Sequence, residues 1–384
     1  MKHMAEKIVV KRLAQPGENV NAEPGSKQTP APAGGRNADV PQQNETKAVS
    51  PGAAKRRKLF VHIGMHKTGT TSIQYFLNAN VQRLNSIGYV FPFTGRHPNA
   101  HVQHALIAEL FTEKSNLPDA LTLGASIDAP LVLKAFKHEI ELANKDNVII
   151  SSEMFVNLAK NGVEDFGAAF REFDITPIVY VRNFSDLVDG WYQTLVMHYS
   201  TLRSFRESGL YDWMEKFDLV ETCRNWARIS GGGKIIVQNY DDPEHKNSIV
   251  SFMRLVGIDA SKMDNSQLNV PLNSSVSAAL AITKRDMVGA GIELKYVDAL
   301  VAQLKNLPMR ERQTLVPLGL RREMTKNYNA QIRILAECDF VEGDKVALVR
   351  TVEDEGVDKI FIPNIQQAMF AIGRAVARAK FQTS

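Results

Sequence analysis

After residue 58 the apolar positions of the chain follow two alternating patterns. Short continuous runs of β-branched and aromatic residues indicate buried strands, whereas apolar residues at every third or fourth position indicate helices. The runs of the first kind are KLFVHIG (58–64), NVIIS (147–151), ITPIVYV (175–181) and KIIVQNY (234–240). Helical segments separate these runs, and such an alternation is typical of a parallel sheet that is covered on both faces. The pattern predicts an α/β fold with a central parallel sheet of four or five strands and flanking helices.

Two further regions are expected to be mainly helical. Residues 95–146 include HVQHALIAELF and PLVLKAFKHEIELANK, and we interpret them as a helical insertion into the α/β pattern. Residues 272–384 are predicted to form a helical C-terminal region, which ends in NIQQAMFAIGRAVARAK. This last segment has an apolar stripe and a basic face, which suit docking on the core, on a second subunit or on a membrane surface. Docking on the core is our expectation.

The first 54 residues differ in composition from the rest of the chain. Residues 13–54 consist largely of Pro, Gly, Ala, Asn and Gln and contain almost no bulky apolar residues. Such a segment cannot bury enough surface to offset the entropy lost on ordering. We therefore predict a disordered tail over 1–54 and one folded domain over 55–384. The basic run KRRK (55–58) is interpreted as a solubilising flank, with contact to anionic lipid or an acidic partner as the alternative.

The formal net charge of +4 is spread unevenly along the chain. Residues 1–58 carry 11 Lys and Arg against 5 Asp and Glu, and the remaining residues carry 35 against 37. The predicted domain is therefore close to neutral. A domain that binds nucleic acid would carry a basic stripe on its folded surface, so no nucleic-acid partner is expected.

The spacing of the cysteines and the length of the apolar runs indicate the cellular compartment of the protein. Cys223 and Cys338 are far apart and lack the spacing of metal ligands, so they predict neither a disulfide framework nor a metal site. No stretch of 18 or more apolar residues is present, and the N-terminal segment lacks the apolar core of a secretory signal. We expect a cytoplasmic protein without a membrane span, and the sequence leaves its oligomeric state open.

One short segment, LFVHIGMHKTGTTSIQYFL (59–77), has the order strand, polar glycine-containing loop, helix. Its glycines Gly64 and Gly69, with Thr71, match the ATP-binding pattern G-x-x-x-x-G-K-[ST], but Thr70 replaces the lysine. The lysine is Lys67, inside the loop. Backbone N–H groups and the start of the helix can still hold a phosphate there. A lysine inside the loop can reach a bridging, leaving-group oxygen without a metal ion between them.

The stretch HKTGTTSIQ resembles the 5′-phosphosulfate loop of the sulfotransferases, and the longer pattern around it resembles the bacterial branch that acts on carbohydrate or lipid-linked acceptors. The resemblance implies a P-loop α/β sandwich and 3′-phosphoadenosine 5′-phosphosulfate (PAPS) as the donor, with no metal ion. It also implies a donor-binding set, which is Gly64, His66, Lys67, Thr68, Gly69, Thr70, Thr71 and Ser72.

A second stretch, IVYVRNFSDLVDGWYQ, resembles the strand and helix of sulfotransferases that bind the 3′-phosphate of the donor. The resemblance assigns that phosphate to Arg182, together with a serine eight residues later. Here the eighth residue is Gly190, so one hydroxyl donor is missing. Such a loss weakens binding by roughly 1–3 kcal/mol if nothing replaces it. Ser185, at the start of the same helix, or a water molecule is the expected replacement.

Sulfotransferases use Glu or His as the general base, and three residues qualify. Glu153 follows the run NVIIS and so lies at the sheet edge where α/β proteins bind ligands, although a structural role beside a helix-capping Ser151 or Ser152 explains it equally well. His101 and His104 share one face of a predicted helix, and the resemblance favours His104.

Two other functions remain open at this point. A P-loop kinase would use ATP and Mg²⁺ and would need a lysine where Thr70 stands. A non-catalytic nucleotide-binding scaffold is consistent with Gly190. Four residues that match the family pattern favour an enzyme instead: Lys67, Thr70, Thr71 and Arg182. By resemblance, the acceptor is a hydroxyl on a carbohydrate or glycolipid.

Overall fold

The computed structural model describes residues 56–97, 102–113, 128–199, 202–243, 247–268, 277–305, 307, 313–350 and 359–382. Contacts divide the chain into Met1–Ala54 and Lys55–Ser384, and all described residues belong to the second unit. The tail predicted over 1–54 therefore lies outside the described residues, and so does the candidate base His101.

The centre of this unit is a parallel sheet. Its strands are β1 (Arg57–Gly64), β2 (Tyr89–Val90), β3 (Asn147–Ser151), β4 (Phe173–Val181), β5 (Ile235–Asn239) and β7 (Val341–Glu342), in the spatial order β2-β3-β1-β4-β5-β7. All pairs in this sheet are parallel. Two further strands, β6 (Gln313–Thr314) and β8 (Ile360–Phe361), form a separate parallel pair. The predicted α/β class is confirmed.

Helices flank the sheet and fill the region after it. They are α1 (Thr70–Ala79), α2 (Val81–Ser86), α3 (Ala105–Glu109), α4 (Ala129–Ala143), α5 (Lys160–Ala169), α6 (Phe184–Tyr199), α7 (Leu210–Lys216), α8 (Leu219–Ile229), α9 (Ser248–Leu255), α10 (Ala278–Gly289), α11 (Leu294–Leu304), α12 (Leu318–Glu337), α13 (Lys345–Arg350) and α14 (Ile365–Gln382). None of the helices in the described ranges combines the length and the apolar character that a membrane crossing requires.

The core lies on both faces of the sheet, as the continuous apolar strands predict. Along β1, Leu59, Val61 and Ile63 belong to one apolar cluster, and Phe60 belongs to the other. Successive side chains of a strand point to opposite faces, so both faces of β1 are buried. The C-terminal helix α14 buries its alanine-rich stripe against the same core, where α10 lies beside it.

The structure differs from the sequence pattern in the number of strands and in one helix, and it adds short strands to the mainly helical C-terminal region. The sheet has six strands rather than four or five, because β2 and β7 pair through two residues each and are too short to produce a periodic pattern. The C-terminal region contributes strands as well as helices. The segment TSIQYFLNANVQRLNSIG (71–88) has the pattern of one helix, but the structure divides it into α1 and α2 at Asn80, whose side-chain amide donates to the backbone oxygens of Phe76 and Asp264.

The topology places several strand ends at one edge. After β1 the chain forms β2 and β3 on one side of β1 and then β4 on the other, so the loop after β1 lies where the strand order reverses. Open α/β sheets bind ligands at this position, beyond the carboxyl ends of the strands. Glu153 follows β3 and Arg182 follows β4 directly, and both side chains are therefore expected at this edge.

Candidate functional site

The loop between β1 and α1 is tightly built. Lys67 and Gly69 have φ angles of 62° and 76°, in the left-handed region that most side chains avoid. A Cβ added at Gly69 would lie 2.6 Å from the hydroxyl oxygen of Ser248, so this position requires glycine. Inside the loop, the hydroxyl of Thr68 donates to the backbone oxygen of Met65 at 2.6 Å. The loop is thus held in one shape by its own atoms and its neighbours.

The first turn of α1 is available to an anion. No side chain caps the start of α1 at Gly69, and Thr71 and Ser72 in its first turn are partly exposed. The first amide groups of a helix lack partners within the helix and carry its positive end, so they bind phosphate well. This arrangement is the one that the loop sequence predicts.

Lys67 directs its amine into a desolvated, charged environment. Burial lowers its pKa, the positive charge of Arg182 adds to the lowering, and the carboxylate of Glu153 opposes it. The lysine stem also lies against Gly190, where an added Cβ would be 3.2 Å from Cγ of Lys67. Gly190 therefore makes room for the lysine, which gives the missing serine a structural reason.

Glu153 contacts the loop directly. The hydroxyl of Ser152 accepts a hydrogen bond from the backbone of Met154 at 3.1 Å and so caps the short 3₁₀ helix Glu153–Asn157. Oε2 of Glu153 accepts from the hydroxyl of Thr70 at 3.0 Å, and Oε1 lies 3.4 Å from Nδ1 of His66. Burial alone would raise the pKa of Glu153, but His66, Thr70 and Lys67 together lower it to about 2. The carboxylate is therefore ionised and only weakly basic.

Arg182 braces the loop from the end of β4. Its Nη1 donates to the backbone oxygen of Lys67 at 2.7 Å, and its Nη2 lies 3.4 Å from Asp241 and 3.6 Å from Asp186. The guanidinium also lies over the ring of Tyr240 at 5.0 Å. Its Nε has no partner among the described residues. A donor guanidinium with one unpaired N–H beside a phosphate-type loop is well placed for an additional anionic group.

Ser185 is not placed as predicted. Its side chain is buried, and its oxygen accepts from Nζ of Lys359 at 3.1 Å and lies 3.5 Å from Nη1 of Arg321. Lys359 also contacts Asp189 at 2.8 Å and Asp186 at 2.5 Å. The hydroxyl is committed to this buried cluster and is not open to a phosphate. No sequence pattern predicts this contact, because Lys359 lies far along the chain.

His104 is also not placed as a base. It is fully buried, its Nε2 lies 2.9 Å from the backbone oxygen of Pro92, and its Nδ1 accepts from the backbone N–H of Ser151 at 3.3 Å. Burial and the charge of Arg96 lower its pKa to about 3. Both ring nitrogens are engaged, so neither is free to take a proton from a substrate.

Acid is expected to destabilise the protein through its buried histidines. Burial lowers the pKa of His62 from 6.5 to about 4, and it lowers the pKa of His104 to about 3. Below pH 6.5 the unfolded chain binds more protons than the folded one, so the free energy of unfolding falls as the pH falls from about 6.5 to about 4. Urea unfolding at a series of pH values measures this slope. His104→Gln should flatten it, whereas replacement of the exposed His138 by glutamine should leave it unchanged.

The resemblance places His66 in the donor-binding set, and the structure shows its neighbours. Its ring stacks on Trp191, with centroids 4.0 Å apart and an interplanar angle of 27°, and its Nε2 is buried without a hydrogen-bond partner among the described residues. The histidine in the loop, the tryptophan on α6 and Glu153 therefore form one group. Only the position of the histidine beside Lys67 pointed to this arrangement.

Within the described ranges, no group of three or more His, Cys, Asp and Glu side chains is arranged to hold a metal ion.

A scan against protein-family models finds no match, and a search of curated proteins finds none either. Among solved structures, a sulfotransferase from Alicyclobacillus acidocaldarius is similar at 15% identity and a TM-score of 0.36, over 65% of this chain and 95% of that one. A TM-score this low supports no conclusion about the function of the present chain.

Proposed function

We propose that the protein is a sulfotransferase that moves a sulfuryl group from PAPS to an acceptor hydroxyl on a carbohydrate or glycolipid. The observation that carries this proposal is the position of Lys67, a desolvated amine inside a glycine-bounded loop that leads into an uncapped helix. This combination provides a phosphate cradle and a cation at the bridging oxygen. The acceptor class rests on the resemblance of the loop to the bacterial branch of the family.

The donor would occupy the edge formed by β1, β3 and β4. The amides of the loop and of the first turn of α1 would hold the 5′-phosphate. Arg182 would bind the 3′-phosphate through its Nε and its Nη2, in exchange for its contacts with Asp241 and Asp186. The 3′-phosphate of the donor would thus take the place of the Asp241 and Asp186 carboxylates beside this arginine.

Transfer would follow an in-line path. The acceptor oxygen attacks sulfur as the bond from sulfur to the 5′-phosphate oxygen breaks, and Lys67 stabilises the negative charge that develops on that oxygen. Fixed charges in a desolvated site act more strongly than in water. The acceptor proton would pass to a general base at this loop, where Glu153 contacts Thr70 and His66. His104 takes no part in the proposed transfer. Ser185 does not bind the donor, because its hydroxyl is engaged by Lys359 inside the fold.

The kinase alternative has less support from the geometry. An ATP-type loop needs a lysine at the place of Thr70, and Thr70 is buried with its hydroxyl donated to Glu153.

We also expect the protein to act in the cytoplasm. Cys223 and Cys338 are both free thiols, which suits a reducing compartment.

Transfer of a radiolabelled sulfuryl group from PAPS to a panel of oligosaccharides and glycolipids tests the proposal. We expect labelled product with at least one glycan acceptor and none when adenosine 5′-phosphosulfate, which lacks the 3′-phosphate, replaces PAPS. Labelled phosphoryl transfer from ATP with Mg²⁺, in the absence of sulfuryl transfer, would support the kinase function instead.

A further inference from the structure

His66 is held on two sides by groups that fix the orientation of its ring. Its Nδ1 lies 3.4 Å from Oε1 of Glu153, and the other oxygen of that carboxylate is held by the hydroxyl of Thr70 at 3.0 Å. The indole of Trp191 stacks against the ring face and is itself packed edge-on against Trp213, with centroids 4.7 Å apart. The imidazole plane and the Nδ1 side are therefore both defined by contacts.

These contacts also select the tautomer of the ring. An ionised carboxylate only accepts hydrogen bonds, so the neutral imidazole places its proton on Nδ1, which faces Glu153. The lone pair is then on Nε2. This atom is buried and has no partner among the described residues, although buried polar atoms are normally hydrogen-bonded. An oriented ring with a free lone pair is the usual arrangement of a histidine that accepts protons.

We propose that His66 is the catalytic base of the sulfuryl transfer and that Glu153 and Trp191 are positioning residues for its ring. This inference rests on the proposed function. The new bond joins the acceptor oxygen to sulfur. The bond from sulfur to the 5′-phosphate oxygen breaks, and its electron pair leaves with 3′-phosphoadenosine 5′-phosphate. The acceptor proton goes to Nε2 of His66, and the imidazolium that results is stabilised by Glu153 until the proton passes to solvent.

The other candidates suit this task less well. The carboxylate of Glu153 has a pKa of about 2, far below neutral pH, and general bases work best with a pKa near the working pH. Both ring nitrogens of His104 are engaged with the backbone. Nε2 of His62 is also buried without a partner among the described residues. The ring of His62, however, is fully buried within β1 between Tyr180 and Phe252 and does not lie in the loop. His66, by contrast, lies in the loop beside Lys67.

The first test needs no acceptor. Nitrogen NMR of the imidazole rings in the full-length protein reports which ring nitrogen carries the proton, and His66 is assigned as the signals missing from His66→Gln. At a pH where the ring is neutral, we expect its proton on Nδ1 and none on Nε2, and we expect Glu153→Ala to remove this preference. A neutral ring that carries its proton on Nε2 in the unmodified protein would overturn the proposal whatever the donor is.

The second test separates catalysis from donor binding. Release of 3′-phosphoadenosine 5′-phosphate from PAPS is measured with water and with hydroxyl acceptors, and the Kd of the same nucleotide is measured by calorimetry. His66→Gln should lower the rate by about 10²–10⁴-fold while the Kd changes less than about threefold, and His138→Gln on the exposed face of α4 should change neither. An unchanged rate, or a Kd that rises in proportion to the lost rate, would overturn the base role.

Failure of the proposed function gives a different result. If the unmodified protein does not bind the 3′-phosphorylated nucleotide at all, the assignment of the donor is wrong and the base role falls with it, even when the NMR signature of His66 is present. If the nucleotide binds and the neutral ring of His66 carries its proton on Nε2, the donor assignment stands and only the role of His66 fails.

Discussion

Replacement of Lys67 by alanine is expected to lower the rate of sulfuryl transfer by about 10²–10³-fold, the size of effect seen when one group that stabilises transition-state charge is removed. The amine lies inside the loop, desolvated and close to Glu153 and Arg182. No other lysine occupies the loop, so the charge on the leaving oxygen would lose its nearest cation. The rate with saturating PAPS measures this effect directly.

The same replacement should leave the fold intact. Burial lowers the pKa of Lys67, which means that the folded protein disfavours its charged form, so removal of the amine does not remove a stabilising ion. The left-handed φ of 62° is as unfavourable for alanine as for lysine. We expect the free energy of unfolding to change by less than about 1 kcal/mol. Lys160→Ala, on the exposed start of α5, is the matched control. A Lys67→Ala protein with full activity would remove the assigned role.

Replacement of Lys359 by methionine is expected to lower the free energy of unfolding by about 3–5 kcal/mol, because it removes one partner from a buried ion pair. The amine lies 2.8 Å from Asp189, and only 4% of the lysine side chain and 6% of the aspartate side chain are exposed. Burial raises the pKa of Asp189, whereas Lys359, Thr314 and Arg321 oppose that shift. Without the lysine, the aspartate would lose its closest cation.

A double variant separates the loss of the charge pair from the loss of packing. Asp189→Asn in the Lys359→Met background removes the unpaired charge, so it should recover part of the lost stability in urea unfolding. A loss below about 1 kcal/mol in Lys359→Met alone would show that the pair contributes no more than a surface salt bridge. Asp186 contacts both Lys359 and Arg182, so the cluster also supports the arginine assigned to the donor.

The sequence identified the parts of the fold and site that depend on local patterns. Long apolar strands and the glycine positions of the loop are visible without tertiary information. Glu153 was expected at the sheet edge from its position after a strand, and Arg182 was assigned from the resemblance of its segment; both side chains contact the loop. The two-residue strand β7 and the break at Asn80 depend on partners distant in the chain. No periodic pattern can reveal such contacts.

The side-chain roles depended on burial, which the sequence does not report. His104 and Ser185 occupy the predicted elements, but His104 is enclosed by backbone groups and Ser185 by Lys359 and Arg321. Gly190 was interpreted as a missing phosphate ligand, and its contact with the stem of Lys67 appears only when α6 packs on the loop. The pairing of His66 with Trp191 joins residues 125 positions apart.

The central claim is that the loop binds a 3′-phosphorylated adenine nucleotide. Thermal unfolding with 3′-phosphoadenosine 5′-phosphate, compared with ATP and Mg²⁺, tests it most directly, because a ligand at about 100 times its Kd adds about 2.7 kcal/mol to stability. We predict a rise in Tm with the 3′-phosphorylated nucleotide that is lost in Arg182→Ala. A rise with ATP and Mg²⁺ alone, or with neither ligand, would contradict the account.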